Sequence, residues 1–133
     1  RAQRWMRAIR QAHGPLFCLK ADISKYFASI DHARLKAILR RHIHCDRTLR
    51  LLDAIIDSSP GRPGVGIPLG NLTSQLFANL YLNELDRYAK HDLGIRYYIR
   101  YMDDFVVLHH DKAQLQAWRA RIEQFLWSVR LNL

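Results

Sequence analysis

Two adjacent carboxylates, Asp103 and Asp104, interrupt the run "YYIRYMDDFVVLHH" (residues 97–110), whose flanks are strongly strand-forming. Like charges ~4 Å apart repel by about 1 kcal/mol in water, and by several-fold more near a low-dielectric surface. A cation is therefore expected beside them. The flanking runs read as two strands joined tightly across the pair, a hairpin with both acids at its tip. A third acid, Asp22, ends the apolar run "LFCLKADI", read as a buried strand with Cys18 as a small core residue. If that strand pairs beside the hairpin, three carboxylates converge. Hard divalent cations such as Mg²⁺ take oxygen ligands, often one or two carboxylates completed by substrate phosphates. Two such ions ~3.5–4 Å apart activate an attacking hydroxyl and stabilise a leaving phosphate oxygen. On spacing alone, a polar turn and a surface strand end account for these acids equally well.

The elements that must position them follow from periodicity. A first helix carries Arg1, Arg4, Arg7 and Arg10 opposite Trp5, Ile9 and Ala12, and breaks at His13–Pro15. Asp31 is placed to cap a helix from His32 to about His42, and a second helix spans roughly Arg47 to Ile56. "SSPGRPGVGIPLGN" holds four of the six glycines and three of the four prolines, the mark of a constrained loop. Asn71 then caps a long helix to about Lys90, read as buried through Leu72, Leu76, Phe77, Leu80, Tyr81 and Leu85. Its amide row Asn71, Gln75, Asn79, Asn83 fits either a water-facing stripe or a site-facing one. Asp111 and Gln114 form a capping box before a last helix with an apolar stripe at Leu115, Trp118, Ile122, Phe125 and Val129. "RLNL" is expected to begin a final strand. Strands mixed with helices in this order predict an α+β domain, a small antiparallel sheet covered on one face by helices.

Composition narrows the partners. Of 133 residues, 49% are hydrophobic and 25% charged, and 21 Lys and Arg against 12 Asp and Glu leave a net charge of +9. That excess points to polyanions, chiefly nucleic acid. A second basic cluster runs through Arg34, Lys36, Arg40, Arg41, Arg47 and Arg50. No apolar run is long enough for a membrane span. Cys18 and Cys45 fit no CxxC spacing, so neither structural zinc nor a disulfide framework is expected and a reducing, cytoplasmic setting is. His42 and His44 of "HIHCD" would point some 200° apart on a helix, and His109 and His110 read as polar residues closing a strand.

"CLKADISKYFASIDH" (18–32), "GIPLGNLTSQLFANLYLNELD" (66–86) and "YIRYMDDFVVL" (98–108) resemble three consecutive blocks of reverse transcriptases, in the family's order and covering most of the chain. The resemblance implies a polymerase palm with part of the fingers over residues 1–133, a piece of a longer chain with most of the fingers and the thumb missing. It implies RNA-directed DNA polymerase chemistry: template-directed attack of a primer 3′-hydroxyl on a dNTP, with two Mg²⁺ ions (Mn²⁺ a possible substitute). Asp22, Asp103 and Asp104 match the catalytic acids, and the backbone carbonyl of Ile23 would complete a metal shell. Ser24, Lys25, Tyr26 and Phe27, with Leu69 and Gly70, would meet the incoming nucleotide, Phe27 excluding a ribose 2′-hydroxyl by bulk. Tyr101, Met102, Asn71 and Gln75 would lie toward the primer and template. The implied partners are an RNA template, a DNA or RNA primer, dNTPs and an accessory protein, and the implied setting is bacterial or phage-encoded.

One departure carries its own expectation. Most relatives place Gln-Gly and then Ser-Pro in the second block; here Leu69-Gly70 and Ser74-Gln75 stand there. "LGNLTSQ" resembles diversity-generating retroelement reverse transcriptases, which copy with errors at template adenines; group II intron-like, retron-like, template-independent phage-defence and non-catalytic RNA-binding relatives are the alternatives. Leu69 can only pack where an amide would hydrogen-bond, which should relax control over base geometry. Leu69→Gln in the full-length enzyme should therefore lower misincorporation at adenine, and identical error spectra would dismiss the idea. The isolated segment is expected to bind nucleic acid weakly and to show no useful polymerase activity.

Overall fold

A computed structural model describes residues 2–68 and 70–133; Arg1 and Leu69 lie outside the described residues. Its elements are α1 (Ala2–His13), β1 (Phe17–Ala21), α2 (Tyr26–Ser29), α3 (His32–His42), α4 (Asp46–Asp57), α5 (Leu72–Arg87), β2 (Tyr98–Tyr101), β3 (Asp104–His109) and α6 (Lys112–Ser128). The three strands form one antiparallel sheet in the order β1-β3-β2. The apolar run 105–108 is central because it pairs on both sides: Phe17↔His109 through Ala21↔Phe105 with β1, and Tyr98↔Val107 through Tyr101↔Asp104 with β2. The expected α+β architecture with a small antiparallel sheet is what the chain adopts.

Alternation on β3 sends Phe105 and Val107 into the main core, where Phe77, Tyr81 and Leu85 of α5 meet Ile122 and Leu126 of α6. Leu108 and Ile9 are buried outside that cluster, where α1 packs against β3, so helices reach the sheet from more than the main core side. Two helix starts are fixed by aspartates. The Arg34 amide donates to Asp31 Oδ1 at 2.9 Å, and the Ala113 and Gln114 amides donate to Asp111 Oδ1 at 2.8 and 3.4 Å.

Five expectations are corrected. β1 is not buried: it lies at the sheet edge with Phe17, Cys18 and Lys20 exposed, so Cys18 is a surface thiol and not a core residue. Asn71 occupies the N-cap position of α5 without a side-chain capping bond. That helix leaves α geometry at Arg87 and continues as a π-helical turn, Tyr88–Asp92. Leu72 and Leu76 are 83% and 62% exposed, because the Phe77–Tyr81–Leu85 stripe takes the core-facing side instead. "RLNL" forms no strand among the described residues. The chain turns at Arg130 (φ 61), whose amide donates to Trp127 O while that of Leu131 donates to Leu126 O, a left-handed helix stop. Arg130 is not glycine, and its guanidinium pairs with the buried Asp31 carboxylate.

Candidate active site

The β1–β3 ladder ends at Ala21↔Phe105. Asp22 therefore leaves the sheet at the same end where Asp104 enters it, and Asp103 sits in the adjoining two-residue turn with Met102. Ile23, next after Asp22, is only 1% exposed, and anchoring it in the core fixes how the strand ends. Asp22 and Asp104 are exposed and Asp103 is half-buried. Lys20 Nζ lies 3.9 Å from Asp104 Oδ1, a cation across the sheet from the acid pair. Both side chains are more than half exposed, so the pair contributes at most about 1 kcal/mol, too little to neutralise three carboxylates. Among the described residues no group of three or more His, Cys, Asp and Glu side chains is arranged to hold a metal ion.

Beyond Ile23 the chain passes exposed Ser24 and left-handed Lys25 (φ 47) into the single turn of α2. Tyr26 is buried there and its hydroxyl donates to Ala78 O of α5. Burial pushes the Tyr26 phenol above its ordinary value; the nearby Arg100 cation opposes this, and the Asp103 charge adds to it. Phe27, half-buried, stands edge-on to Tyr26 with ring centroids 5.6 Å apart. It lines a cavity of about 470 Å³ together with Pro60, Arg62, Val65, Ile67 and Pro68. The Gly/Pro loop is held against it by the Ile67 amide, which donates to Phe27 O at 2.9 Å, and the Gly66 amide, which donates to Ile30 O at 2.8 Å. Gly66 has φ +89, and a Cβ there would sit 3.3 Å from Ala28 O, so the close approach requires glycine.

Two residues that the sequence reading did not single out organise the turn. Arg100 of β2 donates from Nε and Nη2 to the two Asp86 oxygens at 2.8 and 2.7 Å, a bidentate pair joining the hairpin to α5. The Tyr98 hydroxyl donates to the same carboxylate at 2.8 Å. Arg100 Nη1 reaches Met102 O at 2.6 Å and Asn79 Oδ1 at 3.3 Å. Met102 holds φ 54, an unfavourable conformation for a side-chain-bearing residue, and its carbonyl is thus gripped from within the hairpin. Burial disfavours the Arg100 cation, but hydrogen bonds to Asp86 and its charge, with Tyr98 and Tyr26, outweigh this and raise its pKa. The signal was an arginine inside a strand, between Ile99 and Tyr101.

The remaining candidates lie on the open side. Asn79 Nδ2 approaches Met102 Sδ at 3.6 Å, so at that position the amide row faces the turn. Asn71, Gln75 and Asn83 are exposed, and Tyr101 is 80% exposed at the end of β2. Gly70 is exposed with φ +89, and Leu69 falls outside the described residues. Gln75 and Asn79 share a shallow surface with the uncovered Leu72 and Leu76.

Protein YkfC of Escherichia coli (strain K12) is 28% identical over 156 aligned positions, which cover 86% of this chain and 41% of that protein. The chain thus spans well under two thirds of the curated relative it matches. The family model described as reverse transcriptase (RNA-dependent DNA polymerase) matches residues 2–133, and the chain belongs to the reverse transcriptase family.

Proposed function

We propose that this segment is the palm, with part of the fingers, of an RNA-directed DNA polymerase that extends a primer 3′-hydroxyl with dNTPs. One observation carries the reading: the antiparallel register brings the end of β1, with Asp22, to the same sheet end as Asp103 and Asp104. The chemistry of their donors suits a hard divalent cation, although no three of the described side chains are already arranged around one. The donor set is all oxygen, open to solvent and only weakly offset by Lys20, so substrate phosphates would have to complete the coordination. Asp22 and Asp103 would hold Mg²⁺, with the Ile23 carbonyl beside them and Asp104 as the third acid. Ions held there would supply hydroxyl activation and neutralise charge developing on the phosphate. Within the chain, the Arg100–Asp86 pair fixes the turn bearing Asp103, and the core-anchored Ile23 fixes Asp22. The primer oxygen forms its bond to the α-phosphorus as the bond to pyrophosphate breaks. The hydroxyl proton passes to solvent water, which reaches the exposed acids, and pyrophosphate is the leaving group.

Phe27 would sort sugars. Its ring borders the cavity under the Gly/Pro loop, where a ribose 2′-hydroxyl would meet apolar bulk. Phe27→Ala in the full-length protein should raise ribonucleotide incorporation relative to deoxyribonucleotide by about 10- to 100-fold, read as the ratio of kcat/KM values. An unchanged ratio would make Phe27 a packing residue alone. The parent assay is Mg²⁺-dependent extension of a primer on an RNA template. No extension by the full-length protein would favour a non-catalytic RNA-binding relative, and products unrelated to the added template would favour an untemplated polymerase. Relaxed fidelity through Leu69 and kinship with the error-prone retroelement enzymes belong to the same proposal, as does a natural RNA template.

A further inference from the structure

At the far end of β3, five residues from Asp104 and so about 17 Å away along the strand, a second cavity opens between α1 and α6. Its volume is about 280 Å³, and its walls include His13, Arg96, Tyr97, His109, His110 and Trp118. The rings are already arranged as a stack. His13 and His110 lie face to face with centroids 4.2 Å apart and planes at 18°. His109 is 4.3 Å from His110 and meets Trp118 edge-on at 4.9 Å. The Arg96 guanidinium sits over the Tyr97 ring at 5.4 Å. Among the described residues no acidic side chain lines the cavity. The carboxylate nearest in sequence, Asp111, is engaged in capping α6. Arg4, Arg7 and Arg10 on α1 are exposed and form no ion pair among the described residues.

We infer that this cavity is a base-stacking platform for single-stranded RNA, distinct from the acid-bearing turn. Planar rings bordering a cavity, a guanidinium over one ring and a flanking basic helix are what sequence-tolerant strand binding needs: aromatic surface for bases and cations for phosphates. A membrane surface or an acidic peptide would use the arginines but leave the ring stack without a role. Unpaired bases use both. That the strand is the template of the polymerase, and so RNA, rests on the function proposed above; that it is a single strand with unpaired bases rests on the cavity itself.

The test uses the full-length protein and an oligouridylate, so that no catalysis is required. The combined change His13→Ala with His110→Ala should weaken oligouridylate binding by about tenfold for each base that loses its stack. The ring-retaining pair His13→Phe with His110→Phe should hold affinity near wild type, which separates stacking from folding. An oligouridylate carrying 5-iodouridine should photo-cross-link to the peptide spanning His109 to Trp118 or to Tyr97. Unchanged affinity in the alanine pair, or cross-links confined to the surface of Gln75, Asn79 and Tyr101, would overturn the platform. If binding and cross-linking map to the cavity while no primer is extended, the platform stands and the polymerase reading falls. If primers are extended but cross-links avoid the cavity, the reverse holds.

Discussion

Asp103→Asn in the full-length protein should lower the rate of nucleotide addition by on the order of 10³-fold or more while leaving the fold intact. The two halves of that expectation have different causes. Asp103 sits in the turn between β2 and β3 with Asp104 beside it and Asp22 at the neighbouring strand end. Removing its charge takes away an oxygen donor that neither neighbour can replace from its own position. The same removal relieves like-charge repulsion at a site where Asp22 and Asp104 are exposed. The stability change should therefore stay within about 0.5 kcal/mol, of either sign. Asp22→Asn should behave alike, and Asp104→Asn should cost less activity, since Asp104 is the acid that Lys20 already partners. Primer extension and thermal unfolding on the same preparations check both halves. Extension by Asp103→Asn at near wild-type rate would reduce the pair to an ordinary polar turn, and parallel losses of activity and stability would point to a structural role.

How far residues reveal structure here depends on whether the deciding contact is local. The hairpin was legible because strand-forming runs flank a two-residue turn, and the α3 and α6 starts because Asp31 and Asp111 bond amides two or three positions on. The convergence of Asp22 with the turn was legible only as a condition, since pairing of β1 with β3 joins segments far apart in the chain. Burial was less legible. On α5, Leu72 and Leu76 look as apolar as Phe77 and Tyr81, and only the docking of α6 and the sheet decides which stripe is covered. Cys18 misled for a related reason: an apolar run reads the same at a sheet edge as at its centre, and β3 took the centre. The strand expected at "RLNL" was lost to Arg130, whose left-handed turn is coupled to Asp31, a partner no local pattern announces.

The partnership of Asp86 and Arg100 went unread for that reason too, and it yields the second large effect. Arg100→Met alone would leave the Asp86 carboxylate, 22% exposed, facing an apolar side chain with only the Tyr98 hydroxyl as donor. Such half-removal of a sheltered pair costs about 3–5 kcal/mol, a large share of the stability of a domain this size. Loss of activity in that variant would then say little about the turn. Asp86→Leu combined with Arg100→Met is more informative. Replacing both charges by apolar groups of similar volume is often near neutral for stability. The Met102 carbonyl, however, loses its 2.6 Å donor, and a residue held at φ 54 is then free to relax. Displacing the turn by about 1 Å should lower kcat by about 10²-fold, with a smaller change in the KM for dNTP. Arg100→Lys should fall between, because a single ammonium cannot bond both Asp86 oxygens in a fork and still reach the turn. Hydrogen exchange at residues 102–104 supplies a readout independent of turnover. Those amides should exchange faster in the double variant while the core of α5 and α6 stays protected. A double variant with wild-type kcat and an unchanged tip would mean that the pair only fastens β2 to α5. A quiet core with a loosened tip and a lowered kcat would mean that Arg100 sets the position from which Asp103 acts.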